Sequence, residues 1–153
     1  MATLKFDGQN HSVEIFDMTG TSRGSWPAYN NIDLAFSKAH YGGMTHLQNG
    51  VYRILDTLFP LAHTPDPNGP YGLYGIIRFL YPGHPGVGVH SGRAHAKHIP
   101  GPQHATHGCI RTTDVALLAI SEVMGKDQLQ TITIVHNSAA LALHGQSKYG
   151  ARM

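Results

Sequence analysis

One cysteine, Cys109, is the whole thiol content of this 153-residue chain. With a single sulfur there can be no internal disulfide and no multi-cysteine metal site, so any chemistry at Cys109 is that of one thiol. Charge is scarce as well. Asp, Glu, Lys and Arg make up 13% of the sequence, about half the usual share. The basic residues are scattered and the net charge is +2 with histidines neutral. That pattern lacks the Lys/Arg stripe of a nucleic-acid binder, and no nucleic-acid partner is expected. No apolar run approaches the roughly 20 residues needed to cross a bilayer, so no membrane span is expected. The first residues, Met1-Ala2-Thr3-Leu4-Lys5-Phe6, show none of the basic stretch, apolar stretch and cleavage site of a signal peptide. Either a leader has been trimmed from the chain, or the protein leaves its cell by a leaderless route.

Glycine (18), proline (9) and histidine (12) are plentiful. The length suits one domain able to bury a core without staples. Leu4–Phe6 and Ser12–Phe16 alternate apolar and polar residues around Asp7-Gly8-Gln9-Asn10, which predicts a hairpin. Further strands are expected over Val51–Leu55, Gly75–Leu80 and Val87–His90. Leu129–His136 is the best-formed strand, expected to be buried on both faces. The Pro- and Gly-rich run 63–70 must be loop. Val115–Met124 has the pattern of a helix, capped by Thr113 or Asp114 and ended by Gly125. A second short helix is expected over Asn31–His40. The sum is a mainly β domain with one or two short helices, spanning 1–136, followed by an extension over 137–153 that is partly helical or frayed.

Cys109 lies in Thr106-His107-Gly108-Cys109-Ile110-Arg111, downstream of His90-Ser91-Gly92. A histidine can serve the thiol as general base or as the imidazolium half of an ion pair. A glycine before the sulfur lets the chain turn sharply, so that the backbone N–H groups of His107, Gly108 and Cys109 can face a developing oxyanion. A helix starting near Asp114 could add the field of its positive end to the thiolate. Thr106 and Arg111 either brace this turn or bind substrate, Arg111 by gripping a carboxylate with two parallel bonds. The ring of His107 is a further candidate for positioning substrate. The bland alternatives are an inert buried thiol and a histidine bonded for structure at a strand end. The segment 92–105 is either a rim over the cleft or a plain connection.

This motif resembles the signature of the L,D-transpeptidase catalytic domain, the YkuD-like family. That signature is a histidine, about fifteen variable residues, then Ser/Thr-His-Gly-Cys and an Arg or Asn two positions later. His90, the run 91–105, Thr106-His107-Gly108-Cys109 and Arg111 supply every element. Gly50-Val51-Tyr52-Arg53-Ile54 resembles the family's Gly-x-Tyr-x-Ile strand, and Val87-Gly88-Val89-His90 its approach to the histidine. The resemblance implies an L,D-transpeptidase-like β-sandwich or barrel, with Cys109 as nucleophile and His90 as base, oriented by the backbone carbonyl of Ser91. It implies peptidoglycan stem peptides as substrate and an extracytoplasmic site of action. Cleavage of the L,D bond before a terminal D-Ala, through a thioester, is common to carboxypeptidase, D-amino-acid exchange and 3→3 cross-linking outcomes. A small bare domain of this kind also resembles effectors that type VI secretion systems inject into a rival's periplasm. That reading implies a secretion apparatus and a cognate immunity protein as partners.

Two other readings compete. A non-catalytic wall-binding module would keep the fold and bind stem peptides, although a binder needs no nucleophile. The histidine cluster (His90, His95, His98, His104, His107) invites a metal, but Pro100 and Pro102 break any helical spacing of the rings. No carboxylate lies between His90 and Arg111 to serve as ligand or base. Neither a catalytic metal nor any other cofactor is expected.

Overall fold

The computed structural model describes residues 1–32, 46–93 and 101–139. Strand β1 (Ala2–Asp7) points Ala2, Leu4 and Phe6 into the interior, and β2 (Ser12–Phe16) returns with Val13 and Ile15 on the same side. Leu4 lies opposite Ile15, and Phe6 opposite Val13. Asp7 forms the expected turn: Oδ1 accepts from the amides of Gln9 (3.0 Å) and Asn10 (3.2 Å), the local bonding that makes Asp a turn residue. Strand β3 (Ser22–Pro27) extends the sheet from β2, although its sequence carries no apolar alternation. Gly24 sits there at φ 145 with the Trp26 ring packed over the place a Cβ would fill.

Strand β4 (Gly50–Arg53) is shorter than the expected Val51–Leu55; Ile54 donates to the Gln130 carbonyl (2.9 Å) and forms an isolated bridge with Phe79. The expected strand over 75–80 likewise reduces to β5 (Ile77–Arg78), flanked by isolated bridges at Ile76 and Phe79. The glycine and proline residues around it leave little room for a longer ladder. Strands β6 (Gly88–His90) and β7 (Ile110–Arg111) follow. Helix α1 (Asp114–Met124) buries Ala116, Leu117, Ile120 and Met124, and Thr113 is its cap, accepting from the Ala116 amide at 3.1 Å. Strand β8 (Leu129–Val135) completes the set.

Two sheets result, in the orders β3-β2-β1-β8-β4 and β5-β6-β7. Their inner faces and α1 share one core, in which Leu4, Phe6, Ile15, Ile132 and Ile134 meet Ile77, Val89, Ile110 and Leu117. The architecture is a mainly β sandwich with one α-helix among the described residues. β8 is not buried on both faces. Its register to β1 slips between Ala2 and Thr3, so Gln130 is passed over. The slip lets Leu129 and then Ile132 and Ile134 all reach the core, while Thr131, Thr133 and Val135 stay half-buried. The helix expected over Asn31–His40 and the extension over 137–153 lie outside the described residues from 33 and from 140 onwards. Asn137 is buried, its Nδ2 donating to Asn30 Oδ1 (3.0 Å) and to the Leu47 carbonyl (2.9 Å).

Candidate active site

The small sheet sets the geometry. β6 and β7 run parallel with Val89 opposite Ile110 and His90 opposite Arg111. Val89 and Ile110 face the core, so strand alternation turns His90 and Arg111 to the other side. One step back along the register, Cys109 comes level with Gly88, whose backbone hydrogen-bonds the thiol. His90, Cys109, Arg111, Tyr71, Thr106 and His107 line one cleft of about 230 Å³. The structure thus brings together residues that lie up to 40 positions apart in the chain.

Each candidate residue has a defined setting. His90 is buried, and its Nδ1 pairs with the Ser91 carbonyl at 2.8 Å. A carbonyl can only accept, so the proton sits on Nδ1 and the lone pair on Nε2 is left for other work. Tyr71 lies against His90 with ring centroids 4.9 Å apart, and its outer side stacks on His63 at 3.9 Å. Thr106 Oγ1 donates to the Cys109 carbonyl (2.7 Å) and accepts from the Gly108 amide (3.2 Å). The Gly108 N–H is therefore occupied by Thr106, and the expected oxyanion contribution from that amide is not available in this arrangement. Gly108 holds φ 145, a conformation that side chains rarely adopt.

Arg111 is buried and bonded to backbone carbonyls on two sides. NH1 donates to the carbonyls of His104 (3.0 Å) and Ala105 (3.3 Å), and NH2 to that of Pro70 (3.2 Å), while Nε has no partner. His107 is exposed at the cleft mouth, and segment 92–105 is described only at 92–93 and 101–105. Among the described residues, no three His, Cys, Asp or Glu side chains converge on a point that could hold a metal. His95 and His98 lie outside the described residues.

Three supporting residues escape a reading of the sequence. Asn30 Nδ2 donates to the carbonyls of Gly108 (3.0 Å) and Cys109 (3.1 Å), fixing the nucleophile turn from a segment nearly eighty positions away. That segment also brackets β7, since Tyr29 and Arg111 exchange backbone bonds of 2.9 Å. His84 lines the cleft with Nε2 3.4 Å from the His107 carbonyl. Asp114 accepts from Ser91 and Leu73. The start of α1 therefore engages the segment after β6.

Electrostatics define the resting state. Burial, then the charge of Arg111, hold the His90 imidazolium down to about 3, against the opposing bond to Ser91. Burial pushes the Cys109 thiol up to about 11, although Gly88 and Arg111 pull the other way. At neutral pH both groups are uncharged, which favours the general-base arrangement over a standing ion pair. Iodoacetamide should then alkylate Cys109 slowly at pH 7, faster as pH climbs towards about 11. A rapid, pH-independent rate between pH 5 and about 8 would reveal a thiolate–imidazolium pair instead.

His90 also links pH to stability. Between about 3 and the ordinary 6.5, the unfolded chain binds a proton that the folded chain refuses. Stability contributed by neutral His90 is thus present above about 6.5 and lost as pH falls through that window. Thermal unfolding measured from pH 7 to pH 4 should show a steeper fall for wild type than for His90→Ala. Parallel curves would show that His90 is not the group responsible.

No protein-family model and no curated protein matches the sequence. Solved structures do match the fold. An L,D-transpeptidase (Yku) from Stackebrandtia nassauensis superposes with a TM-score of 0.53 and 16% identity, over 89% of this chain and 56% of that one. L,D-transpeptidase 1 of Mycobacterium tuberculosis gives 0.51 and 14%, over 87% of this chain and 60% of that one. Bd1075 of Bdellovibrio bacteriovorus gives 0.56 and 13%, over 99% of this chain and 55% of that one. The chain thus spans little more than half the length of these proteins. At such identities the likeness concerns architecture: this chain has the fold of the L,D-transpeptidases.

Proposed function

We propose that the protein is a cysteine acyl-transfer enzyme acting on peptidoglycan tetrapeptide stems. The observation that carries this reading is the meeting of the only thiol and a carbonyl-tethered histidine in one cleft of an L,D-transpeptidase fold. Substrate would displace water from the cleft, and Cys109 would pass its proton to His90 Nε2 as the sulfur adds to the carbonyl of the third stem residue. The amides of Cys109 and His107 are the oxyanion donors we assign, since that of Gly108 is bonded to Thr106. His90, now an imidazolium, would return the proton to the departing amine of D-Ala, leaving a thioester on Cys109. Attack by water, by a free D-amino acid or by a stem amine then gives trimming, exchange or a 3→3 cross-link.

The site of action in this reading is extracytoplasmic. An antibacterial role, with delivery by a secretion apparatus and a cognate immunity protein, belongs to the same proposal. A protein encoded alongside that binds the cleft and blocks turnover would support it. The direct test is product analysis by mass spectrometry on purified tetrapeptide muropeptides, with wild type beside Cys109→Ala. Loss of one alanine with wild type alone supports acylation at Cys109, and the product mass names the acceptor. Unchanged muropeptides with folded wild-type protein would reject the enzyme reading in favour of a wall-binding module.

A further inference from the structure

Asp114 occupies the first turn of α1, where a carboxylate is favoured by the helix field, yet its bonds lead away from the helix. Oδ1 accepts from Ser91 Oγ at 2.5 Å and from the Leu73 amide at 3.0 Å. Ser91 is the residue whose carbonyl receives the His90 Nδ1 proton. Leu73 closes the loop that lays Tyr71 against His90, and Ser91 Oγ also reaches the Tyr71 carbonyl at 3.4 Å. One carboxylate oxygen therefore ties together the start of α1, the peptide after β6 and the 71–73 loop.

The chain is built around this tie. Gly72 holds φ 69 beneath it, and a Cβ there would collide with Ser91 Oγ and stand 2.6 Å from Asp114 Oδ1. Thr113 already caps the helix through its own hydroxyl, so α1 does not need Asp114 as a cap. A backbone carbonyl orients an imidazole only while its own peptide is held, because rotation of that peptide would swing the oxygen off Nδ1. A misaimed carbonyl would also release the ring to the other tautomer, which puts the proton on Nε2.

We propose that Asp114 is a positioning residue for His90: by clamping Ser91 and the 71–73 loop, it aims the Ser91 carbonyl at Nδ1 and keeps Nε2 open to take the thiol proton. The kinetic part of this inference rests on the acyl-transfer reading; the ring geometry does not.

The test is ¹⁵N NMR of the His90 ring in the free protein, with kcat and KM on tetrapeptide muropeptides measured beside it. In wild type, His90 should show a protonated Nδ1 and an unprotonated Nε2. Asp114→Ala should mix the two tautomers and lower kcat at least about tenfold with little change in KM. Asp114→Asn, which keeps an accepting oxygen, should restore both readouts. Ser91→Ala, which leaves the helix start untouched, should reproduce the tautomer mixing, and decides the matter if Asp114→Ala does not fold. Thr113→Ala is the control, losing the cap and thermal stability without moving the ring. Wild-type ring shifts in Asp114→Ala and Ser91→Ala would overturn the proposal, as would equal mixing in Thr113→Ala. A wild-type protein without muropeptide turnover but with the predicted ring shifts would count against the peptidoglycan reading alone.

Discussion

Cys109→Ala is expected to leave tetrapeptide muropeptides uncleaved, and His90→Ala to cut turnover by about a thousandfold or more. The two losses have different origins. Without Cys109 no thioester can form, and the residual rate is that of water in the cleft. Without His90 the sulfur remains, but burial holds it near 11. At pH 7 only about one molecule in ten thousand would then carry a thiolate. The distinguishing observation is the pH profile of His90→Ala: its activity should rise steadily to high pH as the thiol ionises unaided. The wild type, with a base in place, should approach its maximum well below that range. Both proteins should unfold cooperatively near pH 7, because His90 lies outside the shared apolar core and Cys109, which packs against it, loses only its sulfur. Full tetrapeptide cleavage by either folded variant would remove that residue from the mechanism.

The architecture was legible where sequence pattern and burial coincide. Ser12–Phe16 is observed as written, because Val13 and Ile15 alternate with polar residues across a half-buried sheet. The helix was legible from its cap, its apolar spacing and Gly125. β3 was not, because an edge strand of Ser, Arg and Gly has no apolar period and is held by backbone pairing to β2. β8 misled by its apolar richness: a one-residue slip, invisible in composition, decides which of its side chains reach the core. At the site, Cys109 and His90 stood out because the residue types and the spacing between them are unusual together. Asn30, His84 and Asp114 did not, since their parts come from hydrogen bonds to residues 23 or more positions away. The fate of the Gly108 amide was equally hidden, because nothing in Thr-His-Gly-Cys says whether the hydroxyl will take that N–H.

Arg111 was left open in sequence between brace and substrate grip, and the geometry sets up the second large effect. Its guanidinium spans the cleft floor, joining the carbonyls of His104 and Ala105 to that of Pro70. Burial pulls it down to about 10, a sign that the charge is costly to hold there. Three carbonyl bonds offset that cost, and no ion pair with Asp or Glu among the described residues does. Arg111→Ala removes the charge but strands the buried His104 carbonyl, at a cost of about 1–3 kcal/mol when unpaired, while the part-buried carbonyls of Ala105 and Pro70 cost less. The net expectation is a destabilisation of about 2–4 kcal/mol, a large share of the roughly 5–15 kcal/mol that holds a domain together. Arg111→Lys should recover only part, because one ammonium cannot reach both walls with a planar fork. Thermal unfolding and KM, measured on both variants, separate the roles. A lowered Tm in the lysine variant with KM near wild type is the brace. An unchanged Tm with KM raised tenfold or more would make Arg111 a ligand for the substrate carboxylate, with the unpartnered Nε as its point of contact.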